Sequence, residues 1–261
     1  MNASIFRTAL VKVGTSRMTT PEGRLDLNVV ESIADQMAYV RRYIPRLLLV
    51  TSGAVATGCE RYGRLRSDRE TTRKKQHYAS VGAYRVLVEY DDRLDVHGCV
   101  AAMMLLTRRE IDSAVCRRHL RDTLEEIFAD VVPTIPIINE NDVIATRELR
   151  LTDNDQLAAL MARMIRAEHV LILTGVPGIL RDISDPTSLI STIPLGSTEH
   201  QRYIHDGTSE NGKGGMRRKD HYAAWLAKQG IGVTIVDGRG TNVIVDVLLE
   251  RQNPGTEYLT S

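Results

Sequence analysis

The sequence predicts an α/β fold around an open, mostly parallel sheet, and three observations carry that expectation. Strand and helix signals alternate along the chain, the order that parallel strands with crossover helices require. Two strand candidates, Leu47-Leu48-Leu49-Val50 and Val170-Leu171-Ile172-Leu173, are apolar without interruption, as strands buried on both faces are. Polar or glycine-rich clusters stand just after the strands, at the edge where open α/β sheets bind ligands. In chain order, strands are expected at Ala9–Val13, Arg46–Val50, Val100–Leu105, Thr134–Ile138, His169–Leu173 and Gly232–Val236. One helical face is spelled by Val30, Ile33, Met37, Val40 and Ile44, and another by Leu157, Leu160, Met161, Met164 and Ile165. Further helices are expected near Lys75–Arg93, Arg117–Ala129 and Met216–Lys228, while Pro177–Asn211 is the least regular stretch and reads as a loop or lid. No repeat, low-complexity tract or long linker divides the chain, so one domain over residues 1–261 is expected.

Composition narrows the function classes. The 34 Lys+Arg against 33 Asp+Glu give a formal net charge of +1, without the basic excess of a general nucleic-acid or membrane-surface protein. Cys59, Cys99 and Cys116 are an odd count without C-x-x-C spacing and read as free thiols of a reducing compartment. No histidine or cysteine cluster has metal-ligand spacing, so no protein-held metal site is expected. The first residues lack the apolar core of a signal peptide, and no run reaches membrane-spanning length. A cytoplasmic protein is the expectation.

The clusters after the strands are Lys12-Val13-Gly14-Thr15-Ser16, Thr51-Ser52-Gly53-Ala54, Asn139-Glu140-Asn141-Asp142, Thr174-Gly175 and Asp237-Gly238, and together they predict one composite site. Lys12 beside Gly14 suits an anionic, transferring phosphate, since such catalysis is mostly positioning and charge neutralisation. Taken alone, Lys12 is better explained as a strand-end lysine reaching solvent. Ser52 and its neighbours offer hydroxyl and N–H donors to an anion, or simply cap the next helix. The tetrapeptide ending at Asp142 and a second one, Thr152-Asp153-Asn154-Asp155, exceed what turns and caps need. An ammonium-bearing substrate, paired lysines or Mg²⁺ would each use them. Lys213-Gly214-Gly215-Met216-Arg217-Arg218-Lys219 is a flexible basic loop entering a helix, a setting for phosphates. Gly207–Lys213 imitates a P-loop, but Gly214 stands where Ser or Thr is needed. The basic run Arg61–Lys75 reads as a solvated loop or a subunit contact.

Taken in order, these segments resemble the amino-acid kinase family, and within it the branch that phosphorylates the side-chain carboxylate of glutamate. The carrying stretches are Leu10–Ser16, Val50–Ala54, Met104–Arg108, Ile138–Asp142, Asp153-Asn154-Asp155 and Gly214-Gly215-Met216-x-x-Lys219, spread over nearly the whole chain. The resemblance implies an open αβα sandwich with a mostly parallel sheet. It implies that ATP and Mg²⁺ are used and that the product is γ-glutamyl phosphate, the first step toward proline. Lys12 and Lys219 would neutralise the transferring phosphoryl group, and Asp155 would orient them. Ser52, Asp142 and Asn154 would bind the amino acid. ATP would lie against Lys12, Gly14, Thr174, Gly175 and Lys213, Gly214, Gly215, Met216, Arg217, Arg218 and Lys219, with Mg²⁺ bridging its phosphates. A small-molecule substrate, a homo-oligomer and no nucleic-acid or membrane partner are implied as well.

Departures from the family pattern are Thr174-Gly175 for the usual Thr-Asp, Gly82-Ala83 for the usual Gly-Gln, and a chain ending at Ser261 without a C-terminal RNA-binding-type (PUA) domain. Two alternatives stay open on sequence alone: a kinase for a glutamate derivative, and a non-catalytic nucleotide- or amino-acid-binding subunit.

Overall fold

In a strand, successive side chains point to opposite faces, and β1 (Thr8–Val13) uses this to serve two cores. Ala9, Val11 and Val13 pack with Leu47, Leu49, Leu171 and Leu173 in one apolar cluster. Leu10 packs with Leu48, Val50, Val170 and Ile172 in the other. A computed structural model describes residues 6–67, 70–145, 151, 154–204 and 215–261.

After β1 come α1 (Thr15–Met18), α2 (Leu27–Arg41), β2 (Arg46–Val50), α3 (Ala54–Arg61) and α4 (Thr72–Asp95). The chain continues through β3 (Val100–Leu106), α5 (Arg108–Asp112), α6 (Ala114–Ala129) and β4 (Thr134–Glu140). It closes with α7 (Asn154–Met164), β5 (His169–Thr174), β6 (Thr192–Ile193), α8 (Met216–Ala227), β7 (Gly232–Asp237), α9 (Val243–Leu248) and β8 (Thr256–Tyr258). The strands form one sheet in the order β3-β4-β2-β1-β5-β7-β8-β6. All pairings are parallel except β7 with β8. Apolar residues of α2, α4 and α9 cover one face, and those of α6, α7 and α8 cover the other, which makes an open αβα sandwich. From β1 the chain runs outward to β2 on one side and later to β5 on the other, so the carboxyl end of β1 is the switch point of the sheet.

The strands outrun their expected ends. β4 continues through Asn139 and Glu140, paired with Leu105 and Leu106, and β5 continues to Thr174, paired with Asp237. Backbone pairing does not stop where side chains turn polar, so these polar residues are held on the ladder. The short outer strands β6 and β8 carried no periodic signal. Helix α4 begins earlier than its apolar pattern, because the Thr71 hydroxyl accepts from the Lys74 N–H and caps it. Gly82, which the family pattern shares, has a steric cause: a Cβ there would collide with the Ala54 carbonyl, so glycine lets α4 lie directly on the first turn of α3.

His169 opens β5 fully buried, with Nε2 3.0 Å from the Thr234 hydroxyl and its ring stacked 4.9 Å from Phe6. Burial pushes its pKa down from 6.5 to about 4. The neutral ring therefore stabilises the fold fully above the ordinary histidine pKa. As pH falls from 6.5 toward 4, the unfolded chain takes up the proton first and that contribution is lost. Urea unfolding at pH 7 and pH 4.5 should show a stability loss of up to about 3 kcal/mol from this residue. The His169→Gln variant should lack that part of the slope, and an unchanged slope would remove His169 as its source.

Candidate functional site

Lys12 lies on the β1 face that carries Leu10, toward α7 and α8. It does not reach solvent: only 4% of it is exposed. The solvent-facing reading fails because a carboxylate waits in the second layer. Lys12 Nζ donates to Asp155 Oδ1 at 2.5 Å, and Lys219 Nζ donates to Asp155 Oδ2 at 3.2 Å. Asp155 is in the first turn of α7 and Lys219 in α8, so three elements distant in sequence meet over one carboxylate. Burial pushes the Asp155 carboxyl up, but the ammoniums, Lys12 first, and their hydrogen bonds outweigh it and hold it below the ordinary carboxylate range. The result is two ammonium groups fixed by one carboxylate, and both line the cavity.

Ser52 and Asn154 stand beside this triad. The Asn154 amide donates to the Thr51 carbonyl at 2.7 Å, to the Ser52 hydroxyl at 2.7 Å and to Asn139 Oδ1 at 3.0 Å. Its own Oδ1 is buried and has no hydrogen-bond partner, so it is an acceptor waiting for a donor. Neither Thr51 nor Ser52 caps α3. The N-cap is Gly53 at φ 107°, a left-handed turn suited to glycine that leaves the Ser52 hydroxyl for other contacts. Glu140 Oε1 accepts from the Leu151 N–H at 2.7 Å, fastening the approach to α7. Asn139 and Glu140 therefore brace the site as well as bordering its cavity, which Asp142 also lines.

The triad and the residues around Ser52 and Asn154 border one cavity of about 850 Å³ at the carboxyl end of the sheet. Lys12, Gly14, Ser52, Asp142, Asn154, Asp155, Thr174, Gly175, Gly215, Met216 and Lys219 line it. A Cβ at Gly14 would stand 3.6 Å from Lys12 Nζ, so glycine keeps open the space beside that ammonium. Helix α8 starts at Gly215 without a side-chain cap, which leaves its positive end toward the cavity. Arg217 instead donates to the Ile204 carbonyl at 3.3 Å, and neither it nor Arg218 is part of the described lining. Lys213, Gly214 and the P-loop-like stretch lie outside the described residues. The irregular stretch after Pro177 does border the cavity, through Gly178, Ile179, Leu180, Ile183, Tyr203 and Ile204.

The basic run is corrected: Arg66 and Lys75 are on the cavity wall, which a loop-or-contact reading missed. Arg239 is also on it, signalled only by the Asp237-Gly238 turn before it. Its guanidinium pairs with Asp237 at 2.5 Å and donates to the Gly175 carbonyl at 3.2 Å. A Cβ at Gly175 would meet nothing within 4 Å, so the carboxylate missing there is absent from open space. The nearest equivalent stands one strand over, on Asp237.

Residues 7–237 match the amino acid kinase family. The chain belongs to the amino acid kinase family. Among its relatives, the glutamate 5-kinase of Chlorobaculum tepidum is 32% identical over 255 residues, covering 98% of this chain and 70% of that one. The glutamate 5-kinase of Gloeobacter violaceus is 34% identical over 252 residues, covering 95% and 67%. An isopentenyl phosphate kinase structure superposes with a TM-score of 0.65 at 18% identity, covering 96% of this chain and 99% of that one, which shows the shared fold. The N-acetylglutamate synthase of Neisseria gonorrhoeae superposes with a TM-score of 0.68 at 17% identity, covering 98% and 60%. Among the described residues, no helix is long and apolar enough to cross a membrane.

The triad also has a stability consequence. Asp155→Asn leaves two buried ammoniums facing each other without their shared anion, a loss on the order of 3–5 kcal/mol at pH 7. Because the native carboxyl is held low, wild type keeps this advantage above the ordinary aspartate pKa and loses it as pH falls through the depressed one. Denaturation midpoints of the two proteins should therefore converge toward acid. A gap that stays constant with pH would mean the charge is not responsible.

Proposed function

We propose that this protein transfers the γ-phosphoryl group of ATP to the γ-carboxylate of L-glutamate, giving γ-glutamyl phosphate and ADP. The observation that carries this is the convergence of Lys12 and Lys219 on buried Asp155, inside a cavity large enough for a nucleotide and an amino acid together. A glutamate carboxylate oxygen forms the new bond to phosphorus as the bond to the ADP oxygen breaks. Charge spreads over the three equatorial phosphoryl oxygens, and neutralising it is the main task of the protein. Lys12 and Lys219 do this, while Asp155 fixes both ammoniums so that no reorganisation is needed during transfer.

Glutamate lies at the β2–β4 end of the cavity. Asp142 accepts from its ammonium, Asn154 Oδ1 adds a second acceptor, and the Ser52 hydroxyl donates to a carboxylate oxygen. ATP lies toward β5 and α8, over Gly14, Thr174, Gly175, Gly215 and Met216. When bound with ATP, Mg²⁺ would supply further charge neutralisation on its phosphates. This reading includes a cytoplasmic, homo-oligomeric protein.

The reaction is tested by trapping the acyl phosphate with hydroxylamine in the presence of ATP, Mg²⁺ and glutamate. No hydroxamate from a nucleotide-binding protein would sink the proposal. Two substitutions separate the two halves of the site. Lys12→Ala should lower kcat by roughly 10²–10³-fold with little change in glutamate binding, the usual loss of one preorganised donor. Asp142→Ala should raise KM for glutamate by a factor corresponding to about 2–5 kcal/mol and spare KM for ATP, as truncating one partner of a charge pair does. Initial-rate titrations of both substrates read the difference, and equal rises in both KM values would reject the ammonium assignment.

A further inference from the structure

Helix α8 carries Lys219 near its start, where a helix has the fewest bonds of its own. It begins at Gly215 with no side-chain cap, so no local device fixes its first turn. The residue after Lys219 does so from outside. Asp220 is 3% exposed, and both of its carboxylate oxygens accept from other parts of the chain. His200 Nε2 lies 2.5 Å and the Tyr258 hydroxyl 2.9 Å from Oδ1, and the Gln201 amide donates to Oδ2 at 3.1 Å. His200 and Tyr258 are buried with it and meet edge-on, their ring centres 5.9 Å apart. A carboxylate only accepts, so Nε2 carries the imidazole proton. Burial and then the Asp220 charge push the Tyr258 phenol up, which keeps its proton in place as a donor. Beside this cluster, Arg217 donates to the Ile204 carbonyl at 3.3 Å. Phosphoryl transfer as derived above uses none of His200, Asp220 and Tyr258.

We infer that His200, Asp220 and Tyr258 are positioning residues, a buried clamp that sets the start of α8 and with it the reach of Lys219 to the transferring phosphoryl group. This assignment rests on the kinase reading above and deepens it. The clamp joins three parts of the chain far apart in sequence: the 3₁₀ turn Glu199–Tyr203, α8 and the outer strand β8. Lys219 and Asp220 are consecutive, so their side chains leave the helix about 100° apart. One reaches Asp155 at the start of α7, and the other reaches the clamp. A rotation or slide of α8 that carries Lys219 away from Asp155 must therefore break the bonds to Asp220 as well. Lysine needs that support, because its flexible four-carbon stem does not fix its own ammonium. The same bonds hold the ATP flank of the cavity. Tyr203 and Ile204 lie within four residues of His200, Gly215 and Met216 lie within five of Asp220, and all four line the cavity.

His200→Leu removes the donor and keeps most of the bulk, while His200→Gln keeps an N–H donor at similar reach. Turnover is read by hydroxamate formation, and ATP binding by calorimetry without an acceptor. His200→Leu should lower kcat by roughly ten- to a hundred-fold, the loss that a misplacement of about 1 Å brings. It should also weaken ATP binding and leave KM for glutamate unchanged, and His200→Gln should restore most of both losses. In a Lys219→Ala background the kcat loss from His200→Leu should disappear, because the group being positioned is gone. Tyr258→Phe removes one donor and keeps the ring, so it should show the same pattern at smaller amplitude, and it carries the test if His200→Leu does not fold. An unchanged kcat, a loss that persists in full without Lys219, an equal rise in KM for glutamate, or no rescue by glutamine would overturn the clamp. A wild type that forms no hydroxamate, with ATP binding weakened by leucine and restored by glutamine, would keep the clamp on the nucleotide side and reject the kinase reading. The same wild type with ATP binding indifferent to both substitutions would reject both.

Discussion

Burying a carboxylate with two ammoniums is costly in desolvation unless every charge finds a partner in good geometry, and Asp155 meets that condition. Its two oxygens divide the ammoniums between them, one to Lys12 and one to Lys219. The arrangement needs β1 in the middle of the sheet and the starts of α7 and α8 to converge on one point above its end. The apolar cores on both faces of the sheet exist in part to hold that convergence. A one-residue slip of β1 would turn Lys12 into the wrong layer and bring Val11 or Val13 to the carboxylate.

The second constraint is the Asn154 amide. It spans Thr51, Ser52 and Asn139, and so locks the ends of β2 and β4 to the first turn of α7. Because its N–H groups are all committed, its oxygen has a fixed role as an acceptor. The glycine turn at Gly53 and the close approach of α4 at Gly82 complete this wall, the first by opening α3 without a side-chain cap, the second by letting the helices touch. Polar residues that look interchangeable in the sequence therefore differ in what they hold. All four of Asn139, Glu140, Asp142 and Asn154 line the cavity, and Asn139 and Glu140 also accept bonds that hold α7 and its approach.

Charge is also distributed with a polarity that composition hides. A net charge of +1 says nothing of a cavity wall that gathers Lys12, Arg17, Arg66, Lys75, Lys219 and Arg239 against Asp26, Glu140, Asp142 and Asp155. At the β5–β7 end, the Asp237 carboxyl is pushed up by burial, yet the Arg239 hydrogen bonds outweigh this and keep it low. The pair braces the Gly175 carbonyl where the family pattern has an acidic side chain.

The sequence by itself determined the layered α/β fold, because continuous apolar strands and helical periodicity are local properties. It also determined the edge at which the site would form, because each polar cluster follows its strand directly. The ordered motifs were enough to mark Lys12, Ser52, Asp142, Asn154, Asp155 and Lys219 together. Only the tertiary structure decided that Lys12 is buried and paired, since the alternation of β1 does not say what the facing helix carries. It alone separated Arg66 and Lys75 from the other described cations of their basic run, and Met216 and Lys219 from Arg217 and Arg218. Which members of a charged stretch face a cavity depends on helix phase and on contacts with segments far along the chain, such as Gln76 on Ala145 and Arg217 on Ile204. Those are long-range pairings, and no local pattern encodes them.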